Sequence, residues 1–181
     1  LKKEGKRVVY LREPGGTKIS EKIRQVLLDP KNQITPLSET LLYMAARAEV
    51  VSEIIKPALL EGKIVICDRF LDSTLTYQGY GLGIDIGFIK TVGHFASAGI
   101  KPSLTILLDL PVQEGLKHRK FREDRIEKRS HLYHLRVRKG YLKLAASEPK
   151  RIKVVKVEKD KSVTQEKIKK LTNKFLEKRH R

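Results

Sequence analysis

Ile64-Val65-Ile66-Cys67-Asp68-Arg69-Phe70 is the stretch on which the reading of the fold turns, with Leu71-Asp72-Ser73-Thr74-Leu75-Thr76-Tyr77-Gln78-Gly79 directly behind it. Apolar, mostly β-branched residues after a Gly62-Lys63 turn predict a fully buried parallel strand. The carboxyl ends of such strands form the functional edge of an α/β sheet, and this one ends in a carboxylate and a guanidinium. Asp68 is placed to hold a hydrated metal ion, and Arg69 offers a planar donor fork suited to a phosphate. The hydroxyl-rich helix start with its Tyr suits a sugar and a base. The alternative for the same pair is a buried Asp–Arg ion pair that stitches the strand end to a neighbouring loop.

On the amino-terminal side, Leu1 to Gly5 reads as the tail of a helix and Arg7-Val8-Val9-Tyr10-Leu11 as a short buried strand. Arg12-Glu13-Pro14-Gly15-Gly16-Thr17 follows as a tight loop, in which Pro fixes one dihedral and the paired glycines permit close approach of backbone to a ligand. Arg12 and Glu13 are therefore site candidates, the other reading being a plain turn. A helix is predicted over Lys18 to Leu28, closed by Asp29-Pro30. Another is predicted from Thr35-Pro36, an N-cap with Pro at the first helical position, to about Leu60. Tyr43 and Arg47 lie one turn apart on it. They form either an aromatic platform with a guanidinium for reading a base edge, or a pair that faces solvent.

Toward the carboxyl end, Gly79-Tyr80-Gly81-Leu82-Gly83 lacks the spacing of a phosphate loop and reads as a flexible turn. Helices are predicted over Asp85 to Ala98, from Pro111 to Lys120, over Ile126 to Ala146 and from Ser162 onward. Leu104-Thr105-Ile106-Leu107-Leu108-Asp109 is a second continuous apolar strand, and the alternating Arg151 to Val157 an edge strand. The basic run Lys117 to Arg125 is open to two readings, a lid that closes on phosphates or a solvated charge run.

The chain has 181 residues, one domain's worth, and a formal charge of +18, which points to anionic partners such as nucleotides or nucleic acid. Lys mixed with Glu along helices is also the pattern of a heat-adapted surface, so the charge alone does not choose between them. No apolar run approaches a membrane span, and a membrane partner is not expected. With Cys67 as the single cysteine no disulfide framework is possible, and a cytoplasmic location is the natural reading.

Taken in order, these segments resemble the thymidylate kinases of the bacterial and archaeal type. The resemblance rests on Leu11 to Thr17, Leu41-Leu42-Tyr43-Met44-Ala45-Ala46-Arg47, Asp68-Arg69-Phe70, and Ser73 to Gly79. It continues through Lys101-Pro102-Ser103-Leu104-Thr105, Asp124-Arg125-Ile126-Glu127 and Arg136 to Tyr141. It covers Leu1 to about Val157 and implies an α/β fold of the P-loop kinase type: a three-layer sandwich around a parallel sheet with a helical lid, here about residues 117–127.

The implied activity is transfer of the γ-phosphoryl group of ATP to dTMP, with Mg2+, by a homodimer without specific nucleic-acid binding. Residue by residue, the resemblance implies that Tyr43 stacks on thymine and Arg47 bonds its exocyclic oxygen. Thr74 bonds the base edge, and Tyr77 presses on the deoxyribose where a 2′-hydroxyl would collide. Arg69 holds the monophosphate, Asp68 binds magnesium through water or orients the phosphates, and Arg12 lies near the phosphates. Glu13, Ser73 and Gln78 complete the substrate set, and Arg119, Arg122 and Arg125 are the lid cations that join Asp68 and Arg69 in catalysis.

The family's loop of the form G-x-x-x-x-G-K-[ST] occurs nowhere in these 181 residues. In the family strand order 2-3-1-4-5 the strand that carries it is the middle one. The Asp68 and Leu104 strands are therefore expected to face each other with unpaired apolar edges, in a sheet not expected to be stable as a monomer. Lys128-Arg129-Ser130-His131 is more basic than this helix usually is in the family, and either alters lid charge or faces water. The rival readings are another nucleotide kinase of the same superfamily and a basic, non-catalytic nucleic-acid-binding protein. The second of these predicts binding that falls steeply with salt.

Overall fold

The computed structural model describes residues 1–117 and 124–178. Its strands are four parallel segments of five residues: β1 (Val8–Arg12), β2 (Ile64–Asp68), β3 (Thr105–Asp109) and β4 (Ile152–Lys156). β1 pairs with β2 in the register Val8↔Ile64 to Arg12↔Asp68, and β3 with β4 from Thr105↔Ile152 to Asp109↔Lys156. Among the described residues the two pairs do not join, so there are two two-stranded sheets. A cavity of about 1070 Å³ runs along β2 and β3, with Ile55 and Leu59, and Ile168 and Phe175, also in its wall. Ile66 is 40% exposed and Leu108 49%, a high value for strand residues of this kind.

Eight α-helices connect the strands among the described residues. α1 (Lys18–Leu28) lies where the sequence predicts it, with the Thr17 hydroxyl accepting from the Ser20 amide and Asp29 ending it. The long helix predicted from Thr35 is present over residues 36–60, but as α2 (Pro36–Val50), a π-helical segment (Val51–Ile55) and α3 (Lys56–Leu60). After β2 comes α4 (Leu71–Thr74), which runs on as a second π-helical segment, Leu75–Gly81.

This corrects the expectation of a flexible glycine turn. A Cβ on Gly79 would stand 2.4 Å from Ile86 Cδ1, and one on Gly81 2.5 Å from the Tyr133 ring, so both glycines serve close packing. α5 (Ile86–Ala96) and α6 (Val112–Lys117) follow. α7 (His131–Ser147) begins five residues later than its apolar pattern suggests. The Asp124 carboxylate takes the amides of Ile126 and Glu127 into a turn, and the Ser130 hydroxyl caps the helix through the Tyr133 amide. α8 (Lys161–Glu177) closes the described chain.

Two apolar clusters back the two sheets. Leu11, Val50, Val51, Ile55 and Phe70 lie behind β1 and β2, and Met44, Leu75, Ile89, Leu144 and Ile152 behind β3 and β4. Leu71 touches both clusters. A polar bridge also joins the halves. Arg151, just before β4, makes two hydrogen bonds to the Asp72 carboxylate at 2.7 and 2.8 Å, and Thr105 of β3 donates to the same group. Hence the carboxyl ends of β1 and β2, α2 and the 71–81 helix are held together on one side of the molecule.

Candidate active site

β1 and β2 run parallel and in register, so Arg12 and Asp68 end side by side and their next residues turn together off the sheet edge. Glu13 leaves β1 through a cis peptide bond to Pro14, and its amide donates to the Asp68 carbonyl. Arg69 leaves β2 with φ 72°, a left-handed backbone that a non-glycine residue adopts only when its surroundings enforce it. The Cys67 thiol donates to the Arg69 carbonyl at 2.9 Å, and the Arg69 guanidinium lies 5.0 Å from the centroid of the Tyr77 ring.

A cavity of about 140 Å³ opens beside these strand ends. Eight of the sequence candidates line it: Glu13, Tyr43, Arg47, Arg69, Ser73, Thr74, Tyr77 and Gln78. They come from the β1 loop, the β2 end, α2 and the 71–81 helix, and only the fold brings them together. Arg12 is exposed beside Asp68, 3.9 Å from Glu21. Asp68 is exposed too, and no hydrogen bond or ion pair holds its carboxylate among the described residues; the buried Asp68–Arg69 pair of the alternative reading is not formed. Arg119 and Arg122 lie outside the described residues.

Arg125 does not line the small cavity. It is fastened inward, by Nε to the Leu27 carbonyl at 2.8 Å and by Nη2 to Glu39 at 2.5 Å. Arg129 also turns inward, to Glu39 at 2.6 Å and the Tyr133 hydroxyl at 2.7 Å, so this part of the basic 128–131 run does not face water.

Two buried glutamates hold the side chains best placed to read a ligand. Glu13, 5% exposed, accepts a hydrogen bond from Arg47 Nε at 2.8 Å, and Arg47 Nη2 lies at ion-pair distance, 2.8 Å, from the same oxygen. Arg47 itself is 2% exposed, its Nη2 also donates to Thr74 Oγ1, and its Nη1 meets only the thioether of Met44 at 3.4 Å. A thioether is a weak acceptor, so Nη1 keeps a donor to give. The second oxygen of Glu13 is buried with no hydrogen-bond partner among the described residues. Burial pushes the Glu13 carboxyl above the usual carboxylate range, and Arg47 opposes the shift without cancelling it.

The second glutamate is Glu39, with no exposed surface. One of its oxygens accepts from Gln78 Nε2 at 2.8 Å, and the other takes Arg125 and Arg129. Burial and the nearby Glu39 carboxylate push the Tyr43 phenol up to about 12, so it stays neutral as a platform. Tyr141 lies at the back of the site with its hydroxyl 2.7 Å from Ser73 Oγ.

Sequence reasoning missed Glu39, Arg24 and Glu127. Glu39 precedes Tyr43 and Arg47 by one and two turns of α2, and that spacing of four is the signal that places all three on one face. Arg24 of α1 donates to the Pro14 carbonyl and lines the cavity. Burial lowers its pKa and the repulsion of Arg12 adds to this, so two cations stand together at the β1 end. Glu127 lines both cavities. As a metal site the region offers Asp68, exposed at the strand end; no group of three or more His, Cys, Asp or Glu converges among the described residues. A single carboxylate with water and phosphate oxygens is what Mg2+ accepts, so Asp68 fits that ion.

Residues 1–168 match the protein family described as thymidylate kinase. The chain is 48% identical over 175 residues to a thymidylate kinase of Symbiobacterium thermophilum, spanning 96% of this chain and 82% of that protein. To one from a Thermoanaerobacter species it is 49% identical over 152 residues, 83% of this chain and 75% of the other. Among solved structures, thymidylate kinase from Ehrlichia chaffeensis matches with a TM-score of 0.76 and 34% identity, over 92% of this chain and 81% of that one.

Proposed function

We propose, for a chain that belongs to the thymidylate kinase family, that the small cavity is the dTMP site and that the phosphoryl group of ATP arrives from the Asp68–Arg69 side. The reading rests on one observation: eight residues picked from separate stretches of sequence meet in a single cavity. Arg47 donates Nη1 to a ring carbonyl, Thr74 and Gln78 meet the base edge, Tyr43 stacks on it, and Tyr77 bounds the sugar. Arg69 holds the 5′-phosphate with Arg12 close by.

Phosphoryl transfer needs little covalent chemistry from the protein; it needs positioned positive charge and an aligned acceptor. The rigid pairs Glu13–Arg47 and Glu39–Gln78 supply alignment, because their rotamers are fixed before a ligand enters. Asp68 would hold Mg2+, which would supply positive charge against the phosphates. Arg119 and Arg122, in a lid of about residues 117–127, would add charge at the transferring group.

In the same reading the chain is one domain. β1–β2 and β3–β4 are the outer pairs of the strand order 2-3-1-4-5, and the large cavity lies where the first strand of that order runs. In this reading the enzyme is cytoplasmic; no described helix is long and apolar enough to cross a membrane. Leu37 and Leu41, half exposed one turn apart on α2, support a homodimer packed through helices. A dimer mass by light scattering at micromolar concentration is expected, and a folded monomer would refute the dimer.

The site assignment is tested on the sugar. dTMP should bind well above its 2′-hydroxyl counterpart, and Tyr77→Ala should remove that difference while leaving ATP binding unchanged. Equal binding of both sugars by the unmodified protein would overturn the assignment.

A further inference from the structure

Gln78 is 1% exposed and lines the small cavity. Its amide has two possible orientations, one offering the cavity an oxygen and the other an N–H. Glu39 decides between them. A carboxylate that faces the guanidiniums of Arg125 and Arg129 accepts hydrogen bonds and does not donate, so the group turned to it must be the Gln78 nitrogen, at 2.8 Å. The carbonyl oxygen of Gln78 is thereby left as the acceptor for a ligand. Arg47, whose Nε and Nη2 are held by Glu13, supplies a donor through Nη1. A fixed donor with a fixed acceptor matches a ring edge carrying a carbonyl beside an N–H, as in thymine or uracil. It mismatches cytosine, which presents an amino group beside a bare ring nitrogen.

We infer that Glu39 is a positioning residue for base selection: by fixing the Gln78 amide it makes the site accept an imide pyrimidine and reject an aminopyrimidine. The inference rests on the reading of the small cavity as a dTMP site. Glu39 touches no ligand and acts only through Gln78. Because both its oxygens are engaged, its loss changes the hydrogen-bond polarity of the pocket as well as its packing. A glutamine at this position can donate or accept, which frees the Gln78 amide to turn.

The test titrates dTMP and dCMP into the purified protein by calorimetry. The unmodified protein should prefer dTMP. Glu39→Gln should reduce the dTMP-to-dCMP preference by about tenfold, the worth of one hydrogen bond made or reversed. Arg129→Gln removes one partner of Glu39 without freeing the amide, and should weaken both ligands alike with the preference kept. A Glu39→Gln protein that loses affinity for both ligands equally would show a structural role alone and overturn the inference, with the dTMP assignment intact. No preference for dTMP in the unmodified protein would overturn that assignment and the inference with it.

A measurement on the unmodified protein decides the matter should Glu39→Gln not fold. The imino proton of dTMP labelled with 15N at ring position 3 should be visible when bound, with a nuclear Overhauser contact to the Gln78 side chain. A bound imino proton without that contact would overturn the inference.

Discussion

The two cavities of this protein share a wall and differ in almost everything else. The smaller, about 140 Å³, is lined largely by charged and hydroxyl-bearing groups, several of them already paired with one another. The larger, about 1070 Å³, is lined by two apolar strands that bond to nothing across it among the described residues. Arg69, Phe70, Ser73 and Tyr77 border both. The small cavity, proposed as the acceptor site, is built from the β1 loop, the β2 end, α2 and the 71–81 helix, and Arg125 and Arg129 from the segment before α7 close its Glu39. A donor site for ATP needs backbone amides and a lysine at the carboxyl ends of β2 and β3, and the G-x-x-x-x-G-K-[ST] loop that supplies them elsewhere does not occur in the sequence. Within these residues the polar side of the small cavity is preorganised.

The largest effect expected from this contrast is on turnover. These 181 residues should form ADP in the presence of dTMP at no more than background rate in a coupled assay. Fusing an apolar strand and a phosphate loop ahead of Leu1 should raise it by more than the ~10²–10³ that one preorganised donor is worth. The same segment should pair both strand edges, sharpen the melting transition and reduce aggregation. Turnover by the unfused chain would break the contrast between the two cavities.

Next in size is the contrast between two aspartates near the shared wall. In the loop-bearing chain, Asp68→Asn should lower kcat by at least ~10² through lost charge alignment, with little change in Tm. Asp72→Asn should do the reverse. Asp72 is 14% exposed and doubly bonded to Arg151, so breaking the pair should cost ~3 kcal/mol, the low end for buried pairs, in denaturant unfolding. A normal kcat in Asp68→Asn would remove Asp68 from the mechanism.

These aspartates also show how much the sequence revealed. Asp68 was legible because an apolar β-branched run ends on it, and a strand's carboxyl end is where such folds place function. Asp72 was not, since its partners Thr105 and Arg151 are 33 and 79 residues away in the chain. α1 was readable from its amphipathic face and Asp29-Pro30; its Thr17 cap was not named from the sequence. The start of α7 was not, because the Asp124 side chain competes for amides that an apolar pattern assigns to a helix. The π-helical segments escaped for a related reason: a 3.6-residue period does not describe them. In the site, the spacing of Tyr43 and Arg47 put them on one face but left a solvent-facing pair open; the structure buries Arg47 and brings both to the small cavity. Glu39 has the same spacing, yet a glutamate on a helix ordinarily faces water; its burial depends on Gln78, Arg125 and Arg129, all distant in sequence.

A smaller effect sharpens the acceptor side. Arg47→Ala alone would leave Glu13 buried and unpaired, so the informative variant is Arg47→Ala with Glu13→Gln. It should weaken dTMP binding by ~1.5–3 kcal/mol, as for a lost charge-assisted hydrogen bond, with ATP binding unchanged.

The smallest effect is one of pH, at the polar tie between the halves. Hydrogen bonds from Arg151, then Lys101, hold the Glu148 carboxyl down at about 2 against an ordinary 4.5. A depressed carboxyl stabilises the fold above its unfolded pKa, so its contribution should be whole above pH ~4.5 and fade as pH falls toward 2. Glu148→Gln should flatten stability against pH in that window alone; an unchanged slope would remove Glu148 from the tie.

The central claim is that the acceptor site is complete in these residues without anything in the large cavity. Titrating dTMP and ATP separately into the 181-residue chain by calorimetry tests it most directly. The account predicts saturable one-site binding of dTMP and no measurable binding of ATP. Binding of ATP with none of dTMP, or indistinguishable binding of both, would contradict it.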